Sequence, residues 1–211
     1  MSDDKVSCNE AIDAALHLDG DPEKVRAYYD EWALNYDRDT DSVDYSGPAI
    51  SARLLREHLP AGEIRLLDAG CGTGLAGVEL QRLGYRRIDG FDLSDSMVER
   101  ARSSGVYTEL KAGIDMMQAA RHYESDCYDA VLSVGVFTLG HVPPEALRVL
   151  LQLVRPGGLL LMSTRTHYYE QTGFQALVDE LIAAQKMELV KLVRDAPYNN
   201  DGDAHYWLFR K

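Results

Sequence analysis

Hydrophobic positions recur with two periods along the chain, and the change of period near residue 63 divides it. Before that point the spacing is helical. Residues 1–20 are polar and mixed, consistent with a loose beginning or a short helix. Asp21-Pro22-Glu23 then supplies an N-cap, a proline at the first helical position and an acid in the first turn. Val25, Tyr28, Tyr29, Trp32 and Tyr36 follow at offsets 0, 3, 4, 7 and 11, which is one face of a helix. Asp37 to Asp44 reads as a polar, acidic turn, and Pro48 opens a second helix through Ile50, Leu54, Leu55 and His58, closed by Pro60 and Gly62.

From Glu63 onward short apolar runs alternate with amphipathic stretches, the pattern of βαβ units around a parallel sheet. Strands are expected at Ile64 to Leu67, Ile88 to Phe91, Val106 to Leu110, Asp129 to Val134 and Leu159 to Ser163. Helices are expected at Leu75 to Leu83, at Ser94 to Ser103 with Ser94 as its cap, at Pro143 to Val154, and around Phe174, Leu177, Val178, Leu181 and Ile182. The end differs. Glu188 to Val193 and His205 to Phe209 are strand patterns separated by Asp195 to Asp203, rich in turn formers, so they read as an antiparallel hairpin. The expected fold is α/β: a doubly wound, seven-stranded, mostly parallel sheet with an antiparallel C-terminal hairpin. No linker splits it, so 1–211 reads as one domain, with 1–62 as a helical cap and 63–211 as the core.

Composition narrows the partners. A net charge of −12 repels phosphate backbones, so no nucleic-acid partner is expected. The apolar run around Leu159 to Met162 falls far short of the ~20 residues that cross a bilayer. The first residues, Met1-Ser2-Asp3-Asp4-Lys5, lack a secretion-signal pattern, so a cytoplasmic protein with no membrane partner is expected. Cys8, Cys71 and Cys127 have no CxxC spacing, which indicates reduced thiols and no metal.

The candidate chemistry lies in Leu66-Leu67-Asp68-Ala69-Gly70-Cys71-Gly72-Thr73-Gly74, between an expected strand and an expected helix. Glycines there let the backbone turn sharply and approach a nucleoside-bearing ligand. Asp92, 20 residues after Gly72 at the end of the next strand, holds the position from which a carboxylate accepts ribose hydroxyls. Gly72-x-Gly74-x-x-Gly77 also satisfies a dinucleotide fingerprint, which leaves a nicotinamide oxidoreductase as a rival reading. Asp68, at the tip of the first strand, is expected to repel a pyrophosphate and attract the ammonium and sulfonium of S-adenosylmethionine. Two unit charges about 4 Å apart interact by roughly 4 kcal/mol at an effective dielectric of 20.

The LLDAGCGTG run, Phe91-Asp92-Leu93-Ser94, Tyr128-Asp129 and Val154-Arg155-Pro156-Gly157-Gly158 resemble class I S-adenosylmethionine-dependent methyltransferases over about residues 25 to 165. The combination of Tyr28-Tyr29-Asp30-x-Trp32-Ala33-x-x-Tyr36-Asp37 with Gly135-Val136-Phe137-Thr138-x-Gly140-His141-Val142-Pro143 is similar to the Williams–Beuren-region methyltransferase-like group. The resemblance implies S-adenosyl-L-methionine as cofactor, with Gly70, Gly72 and Gly74 under its methionine and ribose and Asp68 at its amino end. It implies Asp92 on the ribose, Leu93 and Met97 against the adenine, and Asp115 as candidate for the adenine amino group, although Ala112-Gly113-Ile114-Asp115 departs from the common Gly-Asp-Ala form. The N-terminal aromatic helix would close as a lid and bring Tyr29 and Tyr36 near the cofactor's carboxylate.

His141, just past the fourth strand, is the candidate catalytic residue, because this strand end faces the ligand crevice of doubly wound sheets and an imidazole can titrate near neutrality; loop capping or acceptor orientation is its plainer reading. The aromatic face from Tyr28 to Tyr36 reads equally as packing, Cys71 as a small residue under the loop, and Asp37, Asp39, Asp41 and Asp44 as a solvated loop able to attract a cationic acceptor. The expected activity is methyl transfer to nitrogen or oxygen of a small-molecule acceptor by a monomer or weak homodimer. The acceptor would be walled by the N-terminal helix, the loop after strand four and the segment after strand five with Arg165, and Tyr168 and Tyr169 join His141 as candidate bases for an acceptor that arrives protonated. A non-catalytic cofactor-binding module that scaffolds a partner is the alternative from another class.

Overall fold

The computed structural model describes residues 10–200 and 202–211. A helical stretch over 10–15, α1, leads into α2 (Pro22–Trp32), α3 (Tyr36–Ser42) and α4 (Gly47–His58). The core follows as β1 (Arg65–Ala69), α5 (Leu75–Arg82), β2 (Arg87–Phe91), α6 (Asp95–Ser103), β3 (Glu109–Lys111), a 3₁₀ turn (Met116–Arg121) and β4 (Tyr128–Phe137). It continues through α7 (Ala146–Leu153), β5 (Val154–Arg165), α8 (Thr166–Gln171), α9 (Phe174–Ala183), β6 (Glu188–Asn199) and β7 (Gly202–Arg210). Among the described residues no helix is long and apolar enough to cross a membrane.

The seven strands form one sheet in the order β3-β2-β1-β4-β5-β7-β6. The first five are mutually parallel, and β7 inserts antiparallel between β5 and β6, so the expected doubly wound sheet with a terminal hairpin is present. Side-chain alternation assigns each strand's residues to two cores, one on each face of the sheet. Leu67, Phe91, Val131, Leu160 and Trp207 pack under α7 and α9, while Leu66, Ile88, Leu132, Leu161 and Leu208 pack under α4 and α5. Strand order reverses between β1 and β4, where ligands enter open α/β sheets beyond the carboxyl ends of the strands.

Several elements depart from the sequence pattern. Asp37 to Asp44, expected as a solvated turn, is mostly α3, and Asp39 is only 3% exposed because the Trp32 indole N–H donates to it over 2.9 Å. A buried carboxylate with an indole partner satisfies the helix in the absence of an apolar period. The Asp195 to Asp203 segment, expected as a long turn, continues β6 to Asn199 and restarts at Gly202. Register shifts between Val193/Ala196 and Pro197/Asn199 let its turn formers sit in a bulged edge strand. Pro156-Gly157-Gly158 lies within β5 as an irregular pairing with β4. The 3₁₀ turn and α8 have too few residues to show a period. Cys8 and the first part of the expected loose beginning lie outside the described residues.

Several polar contacts fasten the helical cap to the core, among them Thr73 to Asp37 at the glycine loop and the Gly20 amide to Gly140 O at 3.0 Å. Asp30 of α2 accepts from Ser94 Oγ at 2.6 Å and the Ser96 amide at 3.0 Å, and Arg26 pairs with Asp95. On the far side, Ser46 donates its amide to Tyr198 O at 2.8 Å and its hydroxyl to Pro197 O at 3.0 Å. The Asn200 amide donates to Val43 O at 2.8 Å.

Candidate functional site

The loop after β1 is set by backbone geometry. The Gly70 and Cys71 amides both donate to Phe91 O at 2.9 Å, and φ is positive at Gly70, Gly72 and Gly74, where a side chain would be strained. Above the loop lies a cavity of about 790 Å³, its mouth included. Asp92 faces it with both oxygens already held: Oδ2 accepts from the Gly72 amide at 2.8 Å and Oδ1 from the Ser94 amide at 2.9 Å. Burial raises the Asp92 carboxyl above its ordinary value while those amides pull it back down. Leu93, Met97 and Ile114 supply an apolar wall, and Asp115 caps the 3₁₀ turn by accepting from the Met117 amide at 2.9 Å.

Nine of the residues singled out in the sequence line this cavity: Tyr29, Tyr36, Gly70, Gly72, Asp92, Leu93, Met97, Asp115 and His141. Two do not. Asp68 is 1% exposed and turns beneath the loop, where the Tyr107 hydroxyl donates to Oδ2 at 2.7 Å. Burial pushes its carboxyl up to about 6 against that hydrogen bond. Asp68 instead lines a smaller adjoining space of about 310 Å³ between the loop and the cap, which shares Tyr36, Gly70 and Gly72 with the larger cavity. The charged residues that line the large cavity are Arg26, Asp92 and Asp115. Gly74 starts α5 and packs against Tyr107 and Ala101, which likewise removes it from the cavity wall. Cys71 is buried, and burial drives its thiol well above the ordinary range, against any role as a nucleophile.

A second cavity, about 520 Å³ with its mouth, lies under the cap. It shares Tyr29, Tyr36, Gly135 and His141 with the first, so the two meet along a common wall. His141 Nδ1 lies 3.0 Å from Leu139 O, a carbonyl that accepts only, so Nδ1 carries the proton and Nε2 is free to accept. The Tyr29 hydroxyl is its donor at 2.7 Å. Burial lowers the His141 imidazole below its ordinary value and raises the Tyr29 phenol, so both are neutral near pH 7. Sequence reasoning did not single out Tyr45, Gly135 or Tyr198 at this wall. Gly135 stands in a quoted motif, but its φ of 82° and the Tyr45 hydroxyl only 2.6 Å from where its Cβ would lie come from tertiary structure.

Comparison with known proteins agrees with this arrangement. The family described as "Methyltransferase domain" matches residues 44–211, and the chain belongs to it. Its fold is that of class I S-adenosylmethionine-dependent methyltransferases. It is 35% identical over 142 residues to the human Methyltransferase-like protein 27, an alignment covering 66% of this chain and 57% of that protein. It is 36% identical over 121 residues to the ubiquinone biosynthesis O-methyltransferase of Xanthomonas axonopodis pv. citri (strain 306), covering 54% of this chain and 46% of that one. The chain thus spans about half the length of these curated relatives. Among solved structures, the magnesium protoporphyrin IX methyltransferase from Synechocystis PCC 6803 with bound SAH superposes with a TM-score of 0.70 at 15% identity. That match covers 90% of this chain and 100% of that one.

Proposed function

We propose that the chain is an S-adenosylmethionine-dependent methyltransferase that binds its cofactor in the larger cavity and a small-molecule acceptor in the smaller one. The observation that carries this reading is the shared wall: a cavity over the glycine loop and Asp92 adjoins a second one along Tyr29, Tyr36, Gly135 and His141. The donor set suits the cofactor. Each Asp92 oxygen, fixed by one amide, keeps a lone pair for a ribose hydroxyl, and Leu93 and Met97 suit a flat purine. Asp115 is the candidate for the adenine amino group, and Tyr29 and Tyr36 reach over from α2 and α3. Asp68, buried beneath the loop, supports the site from behind.

Bound there, S-adenosylmethionine supplies a methyl group on a sulfonium that leaves as a neutral thioether while the acceptor's lone pair forms the new bond. Positioning and water exclusion are the protein's share, a contribution of ~7 to 11 kcal/mol where alignment is good. An acceptor that arrives protonated needs a base. The Tyr29 hydroxyl faces both cavities with its proton already aimed at His141 Nε2, so a proton leaving the acceptor passes to Tyr29 oxygen as Tyr29 protonates His141.

Calorimetric titration with S-adenosylhomocysteine and with NADH tests the cofactor assignment. Binding of the first and not the second is expected, and the reverse overturns it. Labelled methyl transfer into fractionated metabolites then separates an enzyme from a silent binding module.

A further inference from the structure

The two cavities differ in the charge they present. The larger is lined by the carboxylates of Asp92 and Asp115 and by Arg26, whose guanidinium is paired with Asp30 and Asp95. Among the described residues lining the smaller one, Arg165 alone is charged, and it comes from the last position of β5. Its guanidinium lies 4.5 Å over the Tyr198 ring, and Nη1 donates to Asn199 Oδ1 at 3.3 Å. Neither partner is negative. Elsewhere in this acidic chain, Arg65 takes Asp89, Arg148 takes Glu180, Arg155 takes Asp129 and Arg210 takes Glu188. No carboxylate among the described residues pairs with Arg165, and its stacking on Tyr198 holds the planar fork in one orientation.

The rest of the cavity suits a flat ring that ends in an acceptor of hydrogen bonds. Trp32, Tyr36, Tyr45 and Tyr198 line it with aromatic faces. The Tyr45 and Tyr198 hydroxyls lie 3.4 Å apart and share one hydrogen bond. We propose that the smaller cavity selects a small aromatic acceptor bearing a carboxylate, and that Arg165 binds the carboxylate and so directs the reacting atom toward the wall at Gly135 and His141. A carboxylate matches the fork with two parallel bonds, whereas a phosphate dianion would leave charge that no second cation in the cavity offsets. This rests on the assignment of the smaller cavity to the acceptor.

The test titrates the full chain, saturated with S-adenosylhomocysteine, with benzoate, 4-hydroxybenzoate and indole-3-acetate, each against its primary amide at fixed ionic strength. At least one acid is expected to bind about ten-fold more tightly than its amide, the scale of hydrogen bonds to a charged group. That preference is expected to vanish in Arg165→Gln and to persist in part in Arg165→Lys. Acids that bind no better than amides in the unmodified chain, or a preference that survives Arg165→Gln, overturn the proposal. The comparison in the unmodified chain holds whether or not a variant folds. S-adenosylhomocysteine affinity, read in the same titrations, separates the two levels: its absence overturns the methyltransferase reading, whereas its presence without acid preference overturns Arg165 alone.

Discussion

The two sides of the shared wall are built by different means. On the glycine-loop side the contacts are backbone contacts: Gly72 and Ser94 amides hold Asp92, and Phe91 O holds the loop. On the cap side they join elements far apart in sequence, through side chains where Tyr198 meets Tyr45 and through backbone where the Ser46 amide meets Tyr198 O and the Asn200 amide meets Val43 O. A site made of strand ends and amides is fixed by the fold itself, and it suits a ligand common to a whole family. A site assembled from a cap and an edge strand can change its side chains without disturbing the parallel sheet.

Substitutions on each side should therefore separate. The largest expected effect is His141→Ala, which removes the proton acceptor behind Tyr29. Turnover is expected to fall by about 10²-fold with S-adenosylhomocysteine affinity retained, since general bases contribute on that scale. Full activity in single-turnover assays would take His141 out of the mechanism.

Next is Asp68→Asn beneath the loop. In the folded chain the Asp68 carboxyl is pushed up to about 6, above its unfolded value, so its stabilising share is complete below about pH 4 and lost as pH rises through about 6. The Asn variant keeps a partner for Tyr107 and lacks the charge. Relative to the unmodified chain it should gain up to about 3 kcal/mol between pH 4 and pH 8 in urea denaturation. A difference that stays constant with pH would contradict a carboxyl raised by burial.

Asp92→Ala should weaken S-adenosylhomocysteine binding by about 1 to 3 kcal/mol, the cost of losing a partner in charged hydrogen bonds. Calorimetry that finds the affinity unchanged would remove the ribose assignment. The smallest effect is expected from Asp30→Ala, which unties α2 from the start of α6 at Ser94 and Ser96. A stability loss of about 0.5 to 1.5 kcal/mol by chemical denaturation is expected, with a faster exchange of cofactor.

The glycine-loop side was legible in the sequence because its rules are local. Positive φ needs glycine, a helix start needs Ser94, and a carboxylate at the end of β2 faces the crevice wherever the strand order reverses. Asp68 shows the limit of that reasoning. Its place at the end of β1 was evident, but the direction of its side chain depends on Tyr107, 39 residues on, whose hydroxyl holds it beneath the loop. The cap side was illegible for the same reason on a larger scale. Tyr198 sits among turn formers, and its partners Tyr45 and Ser46 are more than 150 residues earlier in the chain. No period or spacing connects them, and α3 formed where acids alone suggested solvent because Trp32 supplied a buried partner for Asp39.

A cap tied down at several separate places does not swing like a door on a single hinge. With Asp30 and Arg26 held at α6, Asp37 at Thr73 of the glycine loop, and Ser46 and Asn200 at the edge strand, lifting it off the sheet means breaking ties spread along its whole length.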